Sequence, residues 1–445
     1  MLKIVAVIAC LLLLSSFENV ADSSLIYKNS NAIWTIMIYL AADNHRNVEI
    51  NSTLKMLEDL GYSKSINFII LTDGIPIGDT KCYYLAKDGL VTFNWEENES
   101  DMGNAETLYN FLNLSMSNFP AIHYALFILS THGSGWQGLG GDTHGKYGAK
   151  YLTLLDMEDY KKVLSNVTKK FCKFDIIAFD ICVTGMVEVA YQIYPYVNYM
   201  IGTEEHGFSG KGDEGYFIEW NYSFFFENLK NNPEMNPKNF AKLIVDCYKP
   251  GTFTFKIFNI FEAPRWYPIL KCYTTLSAIN LSELPKIADS INALSLNLST
   301  NLNEYRNVIK IARENAREYG KLYRKFWFLP NFIYSLHIDW LGYDCFIDLY
   351  DFAENLGQID DPAIKRNCNA IINALQSAII ANKCLPADQS HGLSIYFPEY
   401  KCQYDVSIWR SLFYKNFWNL SVPYESLSFS RDTYWDDFLR EYLYI

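Results

Sequence analysis

Several familiar catalytic signatures are missing from this chain. It has no P-loop, no H-E-x-x-H and no G-x-S-x-G, which removes the usual nucleotide, zinc-peptidase and serine-hydrolase readings. No two of its cysteines sit in C-x-x-C spacing, so a structural zinc site is not expected. Basic residues are in deficit: 38 Lys and Arg face 50 Asp and Glu, for a net charge of -12. Nucleic-acid binding relies on basic patches that displace counterions, so no nucleic-acid partner is expected. A basic substrate is compatible with that balance. No internal repeat, coiled-coil heptad or low-complexity tract is present.

The only long apolar run is at the start. Met1-Leu2-Lys3 leads into residues 4–14, unbroken and apolar, followed by the small residues Ser15, Ser16 and Ala21. A bilayer span needs about 20 residues, whereas this length is that of a signal-peptide core. Residues 1–22 therefore read as an export signal, and the expected location is extracellular, periplasmic or in the secretory pathway. No membrane span is expected once the signal is removed.

Cysteine usage fits export. Of the ten cysteines, Cys10 leaves with the signal and Cys182 has a chemical reading developed below. Cys82, Cys172, Cys247, Cys272, Cys345, Cys368, Cys384 and Cys402 remain, an even number that permits disulfides of undetermined pairing or a set of buried thiols. Sequons at Asn51, Asn98, Asn113, Asn166, Asn221, Asn280, Asn297 and Asn419 would bear on a eukaryotic source.

Half the residues are hydrophobic and 16% are aromatic, enough for a large packed core. The first half alternates strand and helix patterns. Residues 33–40 (IWTIMIYL), 67–72 (NFIILT), 124–130 (YALFILS), 174–179 (FDIIAF) and 199–203 are short apolar runs that suit strands buried on both faces. Helical spacing occupies 48–60, 105–114, 157–167 and 184–194, and residues 82–85 and 90–94 read as a hairpin. Such alternation predicts a mostly parallel sheet with helices on both faces. Residues 239–248, 283–296, 303–319 and 362–381 read as helices, and 253–258 and 393–397 as strands. The expected division is a catalytic domain over 23–250 and a more helical α/β region over 251–445 packed on it.

In parallel sheets, functional groups collect at the carboxyl ends of strands. Cys182 stands at one such end, before the helix expected from 184, where unpaired N–H groups would favour the thiolate that attacks a carbonyl. His132 follows another strand and can take the thiol proton and return it to a leaving amine. The N–H groups of Gly133 and Cys182 are the candidate oxyanion hole. His144 and His206, in adjoining loops, are the substitutes for His132. Asp180, two residues before Cys182 on extended chain, shares its face and would pair a substrate Arg or Lys, with Arg favoured through a bidentate fork. In the loop 204–215, Asp213 is the second candidate pocket acid, and the acids there are also candidate calcium ligands. Asp73 and Asp142 are candidate metal or turn residues, the turn being the commoner fate.

These residues together resemble the clostripain family of cysteine peptidases, in the clan that also holds caspases, legumain and gingipains. The similar pieces are the segment from Trp34 to Asp43, His132-Gly133-Ser134-Gly135-Trp136, and the run from Asp180 through Cys182 to Ala190. Asp348-Leu349-Tyr350-Asp351-Phe352-Ala353, Gly392-Leu393-Ser394-Ile395-Tyr396-Phe397-Pro398 and Trp435-Asp436-Asp437-Phe438-Leu439 continue the likeness. The resemblance implies a caspase-like α/β/α sandwich and a dyad carried by His132 and Cys182. It implies endopeptidase cleavage of protein or peptide substrates after Arg or Lys, with Asp180 reading the base. No cofactor is required for the chemistry, although calcium is a candidate because some members need or bind it. Self-processing between histidine and cysteine in some members makes Lys146 and Lys150 candidate cleavage positions. Two other readings share these residues: a catalytically silent binding protein on the same fold, and a transamidase using the same acyl-enzyme.

Overall fold

The structure is a computed structural model that describes residues 32–93, 95–130, 135–144, 153–205, 210–212, 215–217, 220–255, 270–319, 345–404 and 423–444. The export segment, His132, Gly133, Lys146, Lys150, His206 and Asp213 lie outside the described residues.

The strands are β1 (Ala32–Ala41), β2 (Ile66–Asp73), β3 (Lys81–Ala86), β4 (Gly89–Phe93), β5 (Ala121–Leu129), β6 (Leu139–Asp142), β7 (Thr153–Leu155), β8 (Phe174–Asp180), β9 (Val197–Gly202), β10 (Gly210–Gly212), β11 (Gly215–Phe217), β12 (Thr252–Phe255), β13 (Leu270–Tyr273), β14 (Leu276–Asn280), β15 (Glu318–Tyr319), β16 (Phe346–Asp348), β17 (Ile379–Lys383) and β18 (Ser394–Tyr396). Nine of them form one sheet in the order β17-β14-β9-β8-β5-β1-β2-β3-β4. Its five central members, β9-β8-β5-β1-β2, are parallel, and antiparallel pairs close both edges. The apolar runs read from the sequence are those central strands. They lack polar alternation because both of their faces are covered.

Successive residues of β1 serve opposite cores. Trp34, Ile36, Ile38 and Leu40 pack toward α1 (Glu49–Leu60) and two later helices, which become α5 (Tyr222–Asn231) and α6 (Pro237–Asp246). Met37 and Tyr39 face the other core, built with α2 (Ala105–Asn118), α3 (Met157–Lys170), α4 (Val187–Ile193), α7 (Leu284–Thr300), α8 (Leu302–Asn315), α9 (Leu349–Leu356), α10 (Pro362–Ala378) and α11 (Trp435–Tyr444). Helix starts follow local chemistry. Asp156 caps α3 by accepting from the Asp159 N–H, and Asp361 caps α10, with Pro362 at its first position.

The region after residue 250 also contributes to the main sheet, in which β14 pairs with β9 and β17 pairs with β14. The helix expected over 184–194 begins only at Val187, because the chain first makes a turn in which Val183 has φ 50° and Gly185 lies against the Thr203–Glu204 backbone. Of the two readings left open for the cysteines, free thiols fit Cys82, Cys172, Cys182, Cys247, Cys345, Cys368 and Cys384, none of which is joined to another. The side chains of Cys272 and Cys402 lie outside the described residues.

The later half of the chain is tied to the sheet by a buried acid on α4. Glu188 accepts from the Tyr396 N–H at 2.9 Å and the Tyr424 hydroxyl at 2.8 Å. Burial pushes its carboxyl up to about 7 despite those donors. A raised acid stabilises the fold fully below its unfolded value near 4.5, and that contribution is lost as pH climbs through about 7. Glu188→Gln should therefore be more stable than wild type at pH 8, by up to roughly 3 kcal/mol, with the gap closing toward pH 4.5. Urea unfolding at both ends of that window reads the difference, and parallel stability curves would reject it.

Candidate active site

β5 and β8 lie side by side, parallel, with Leu129 in register with Asp180. The Ser130 N–H still donates to the Asp180 carbonyl at 3.3 Å, after which both chains leave the same rim of the sheet. His132 is two residues beyond Ser130, and Cys182 two beyond Asp180. β1, between β2 and β5, is the point from which the chain first goes one way and then the other. Ligand sites of open α/β sheets form at the carboxyl ends beside such a reversal.

Beyond the strands, the two loops touch. Gly135, three residues past His132, has φ 57°, and a Cβ there would lie 2.7 Å from Met186 Sδ and 3.0 Å from the Val183 carbonyl oxygen. Only glycine combines that backbone conformation with that approach. Trp136 then sinks into the core and meets Tyr396 and Tyr424 edge-on, at 5.5 and 5.1 Å between ring centroids. Gly135 and Trp136 thus pack against the turn after Cys182 and the core beside it.

The turn after Cys182 is held from two more directions. The Val183 N–H donates to the Glu205 carbonyl at 3.3 Å and the Gly185 N–H to that of Thr203 at 2.7 Å, while the Ser394 N–H donates to the Gly185 carbonyl at 2.9 Å. A β-branched residue at positive φ is a strained conformation that persists only where its surroundings impose it. Cys182 itself is half-buried and outside any disulfide. α4 begins only five residues later, with no side-chain cap on its N-terminus, so the helix expected directly behind the thiol is not there. The turn positions this cysteine.

Beneath the rim sits a group that sequence reading missed. Arg46 is 4% exposed. Its Nη1 donates to the Ser130 carbonyl at 3.0 Å and the Asp180 carbonyl at 2.7 Å, its Nη2 to Asp180 Oδ2 at 2.7 Å, and its Nε to Glu49 Oε2 at 2.9 Å. One guanidinium therefore ties together the last carbonyls of the two strands that lead to His132 and Cys182. Burial works against its charge, and the carboxylates of Asp180 and Glu49 outweigh that and keep it protonated. Only a charged residue after a strand was visible in the sequence; its burial goes with its bonds to Glu49, at the start of α1, and to the ends of β5 and β8.

Asp180 is accordingly oriented rather than free. Its Oδ2 accepts from Arg46 and from the Tyr222 hydroxyl, both at 2.7 Å. Among the described residues nothing donates to Oδ1, and the side chain is 17% exposed. The bidentate fork expected toward a substrate Arg is not available, since one oxygen is already taken. One negative charge still remains in the group, because Asp180 and Glu49 together face the single cation Arg46.

The described histidines other than His45, whose side chain is not described, each face carboxylates. His144 Nδ1 lies 2.8 Å from Asp43, His123 is 3.1 Å from Asp175, and His391 is 3.2 and 3.3 Å from Asp348 and Asp351. His144, one of the substitutes for His132, is thus committed to Asp43. Acids of the loop after β9 are also used internally. Glu204 accepts from the Gly392 N–H, and Glu205 faces Arg317, which also binds Asp388 at 2.7 Å.

The profile of the clostripain family matches residues 38–442 of this chain. Clostripain of Hathewaya histolytica is 30% identical in an alignment of 208 positions that covers 38% of this chain and 37% of that protein. The chain thus spans little more than a third of that curated relative. Among solved structures, an inactive zymogen C11 protease from Parabacteroides distasonis is similar with a TM-score of 0.55 at 17% identity, over 91% of this chain and 98% of the other. A secreted C11 cysteine protease from Bacteroides thetaiotaomicron, in complex with an irreversible peptide inhibitor, is similar with a TM-score of 0.56 at 17% identity, over 86% and 100%. At such identity these likenesses carry the fold, and the fold is the caspase-like α/β sandwich anticipated from sequence.

Removing the guanidinium should be costly. Arg46→Met leaves two strand-end carbonyls and a buried carboxylate without their donor, and breaking a buried pair in this way costs about 3–5 kcal/mol. Arg46→Lys retains the charge but not the fork, so its loss should be smaller. Denaturant unfolding measures both; a methionine variant within 1 kcal/mol of wild type, on the order of one ordinary hydrogen bond, would show that the clamp does not hold the rim.

Proposed function

Because the chain belongs to the clostripain family of cysteine-type endopeptidases, we propose that it hydrolyses peptide bonds after basic residues, with Cys182 as nucleophile and His132 as base. The observation that carries this reading is the contact of the two loops, Gly135 against Val183 and Met186, at the shared rim of β5 and β8.

The chemistry runs through an acyl-enzyme. His132 accepts the thiol proton as Cys182 Sγ attacks the scissile carbonyl carbon, and the N–H groups of Gly133 and Cys182 receive the oxyanion. Collapse of that intermediate expels the amine, which takes the proton from His132. Water, deprotonated by His132, then attacks the thioester and releases the acid. No cofactor enters any of these steps.

Asp180 supports the basic preference. Its Oδ1 is the open oxygen of a carboxylate held in place by Arg46 and Tyr222, and the Arg46 group retains one net negative charge. Contact through one oxygen is end-on, which suits an ammonium as well as a guanidinium, so Lys and Arg should be accepted to similar extents. Asp213 is the second acid of the pocket. Lys146 and Lys150, between the dyad members in sequence, match the preference of the site and are the proposed positions of self-cleavage. Export is supported by the apolar leader 4–14, and no described helix is long and apolar enough to cross a membrane.

Fluorogenic peptides ending in Arg, Lys or Asp separate the claims. Wild type should cleave the Arg and Lys peptides within about tenfold of each other, because one charge-assisted hydrogen bond is at stake in either, and leave the Asp peptide intact. Cys182→Ala should cleave none. Activity that survives Cys182→Ala defeats the mechanism, while cleavage of the Asp peptide defeats the specificity alone. Incubated by itself, the wild type should be cut after Lys146 or Lys150 and Cys182→Ala should not.

A further inference from the structure

Next to Asp180, the helical layer formed by α1, α5 and α6 opens into a cavity of about 300 Å³. Its lining includes Ser52, Thr53 and Met56 of α1, Trp220 and Tyr222 at the start of α5, and Lys249 just past α6. We propose that this cavity receives a large apolar side chain of the substrate, aromatic by preference, carried two residues before the basic residue. The proposal rests on the assignment of Asp180 as reader of that basic residue, and it narrows the substrate class.

Two links join the cavity to Asp180. Tyr222 serves both places: its hydroxyl donates to Asp180 Oδ2 at 2.7 Å, and the residue also lines the cavity. Along α1, Ser52, Thr53 and Met56 come three, four and seven residues after Glu49, the partner of Arg46. That spacing puts all four on one helical stripe. The cavity thus begins about one tyrosine side chain away from the carboxylate.

The lining grades from apolar to polar with exposure. Trp220 is buried, Met56 and Tyr222 are half-buried, and Ser52 and Lys249 are exposed. The rings of Trp220 and Tyr222 are nearly parallel, with 16° between their planes and centroids 5.8 Å apart. Two rings and a thioether favour an aromatic guest, through burial of apolar area and through ring–ring and sulfur–ring contact. No described acid lines the cavity, and Lys249 repels a second basic residue. Asp180 and the cavity therefore select different chemistry from two residues of one peptide.

Volume distinguishes a side chain from a free ligand. Pockets that hold small molecules run from about 300 to 1,000 Å³. This cavity lies at the lower limit and suits one large side chain.

The direction of the substrate follows from the two cores. Cys182 packs against the core on one face of the sheet, whereas Met56, Trp220 and Tyr222 belong to the core on the other. Asp180 stands at the rim, bonded to Tyr222 and two residues from Cys182. With the scissile carbonyl at the thiol and the basic side chain on Asp180, the acyl half continues toward the cavity. The leaving half departs past the thiol. In extended chain, alternate residues face the same way at a separation of about 7 Å. The second residue before the basic one therefore meets the cavity, and the residue between them points away.

The experiment measures binding of labelled peptides to Cys182→Ala protein by fluorescence anisotropy, so it depends neither on the dyad nor on turnover. A peptide with Phe two residues before Arg should bind at least about tenfold more tightly than one with Ala there, as burial of one large apolar side chain implies. Lys in that place should bind no more tightly than Ala. On the same background, Trp220→Ala should remove the preference for Phe. So should Ser52→Phe, which plugs the cavity from an exposed helical position and covers the case in which loss of the indole disturbs the fold. Phe224→Ala, at an exposed ring of α5 outside the cavity, should keep it. The inference is overturned if the Phe and Ala peptides bind alike, or if the Lys peptide binds as tightly as the Phe peptide. It is also overturned if the preference survives both Trp220→Ala and Ser52→Phe, if it is lost in Phe224→Ala, or if Phe gains as much when placed in the leaving half. Replacing the Arg of the Phe peptide by Ala tests the reader separately: unchanged affinity would defeat the basic preference, while the comparison of Phe with Ala still decides the cavity.

Discussion

The guanidinium of Arg46, locked between the carbonyls of Ser130 and Asp180, is the contact on which the geometry of the rim depends. Parallel pairing of β5 and β8 brings the two strands together, but pairing ends with the strands, and both chains continue as loops. Arg46 extends the union past the last backbone bond and is itself held by Glu49, in the first turn of α1. The same group orients Asp180, so the scaffold and the proposed reader of substrate charge rest on one buried cation. A lysine in its place would supply the charge without the three-way fork.

Above that clamp the two loops interlock. Gly135 fits against Val183 and Met186 because it has no Cβ, and Val183 adopts a conformation that a valine rarely takes. The strain is tolerated because hydrogen bonds from β18 and from the chain just past β9 fix the turn on both sides. Cys182 is thus presented by an over-determined turn rather than by the start of a helix. For the proposed nucleophile, which would have to meet a carbonyl within a narrow range of distance and angle, such restraint is useful.

Much of this is legible in the sequence. Apolar runs without alternation mark the central parallel strands, and residues at their carboxyl ends mark the site, because in such sheets the loops beyond those ends are where side chains converge. The segments around His132 and Cys182 carry the family resemblance, and the fold agrees with it. The rest depends on contacts between parts distant in the chain. Nothing near Arg46 in sequence tells that it is buried against Asp180, or that Tyr222 will share that acid. The strands β14 and β17 are short and mixed in polarity, so their place in the main sheet is not visible. The start of α4 is misjudged because helical periodicity in residues 184–194 says nothing of the close backbone approach that Gly185 makes to Thr203. Asp73 and Asp142 each resemble an ordinary turn acid when taken singly, and only the fold brings them together with Asp43.

The central claim is that His132 acts on Cys182 across the rim. The most direct measurement is the rate at which iodoacetamide alkylates Cys182 at pH 6, followed by peptide mapping, in wild type and in His132→Ala. An imidazole in contact with the sulfur favours the reactive thiolate at a pH where an isolated thiol is almost wholly protonated. The account predicts alkylation at least about tenfold slower in His132→Ala; equal rates in the two proteins would contradict it.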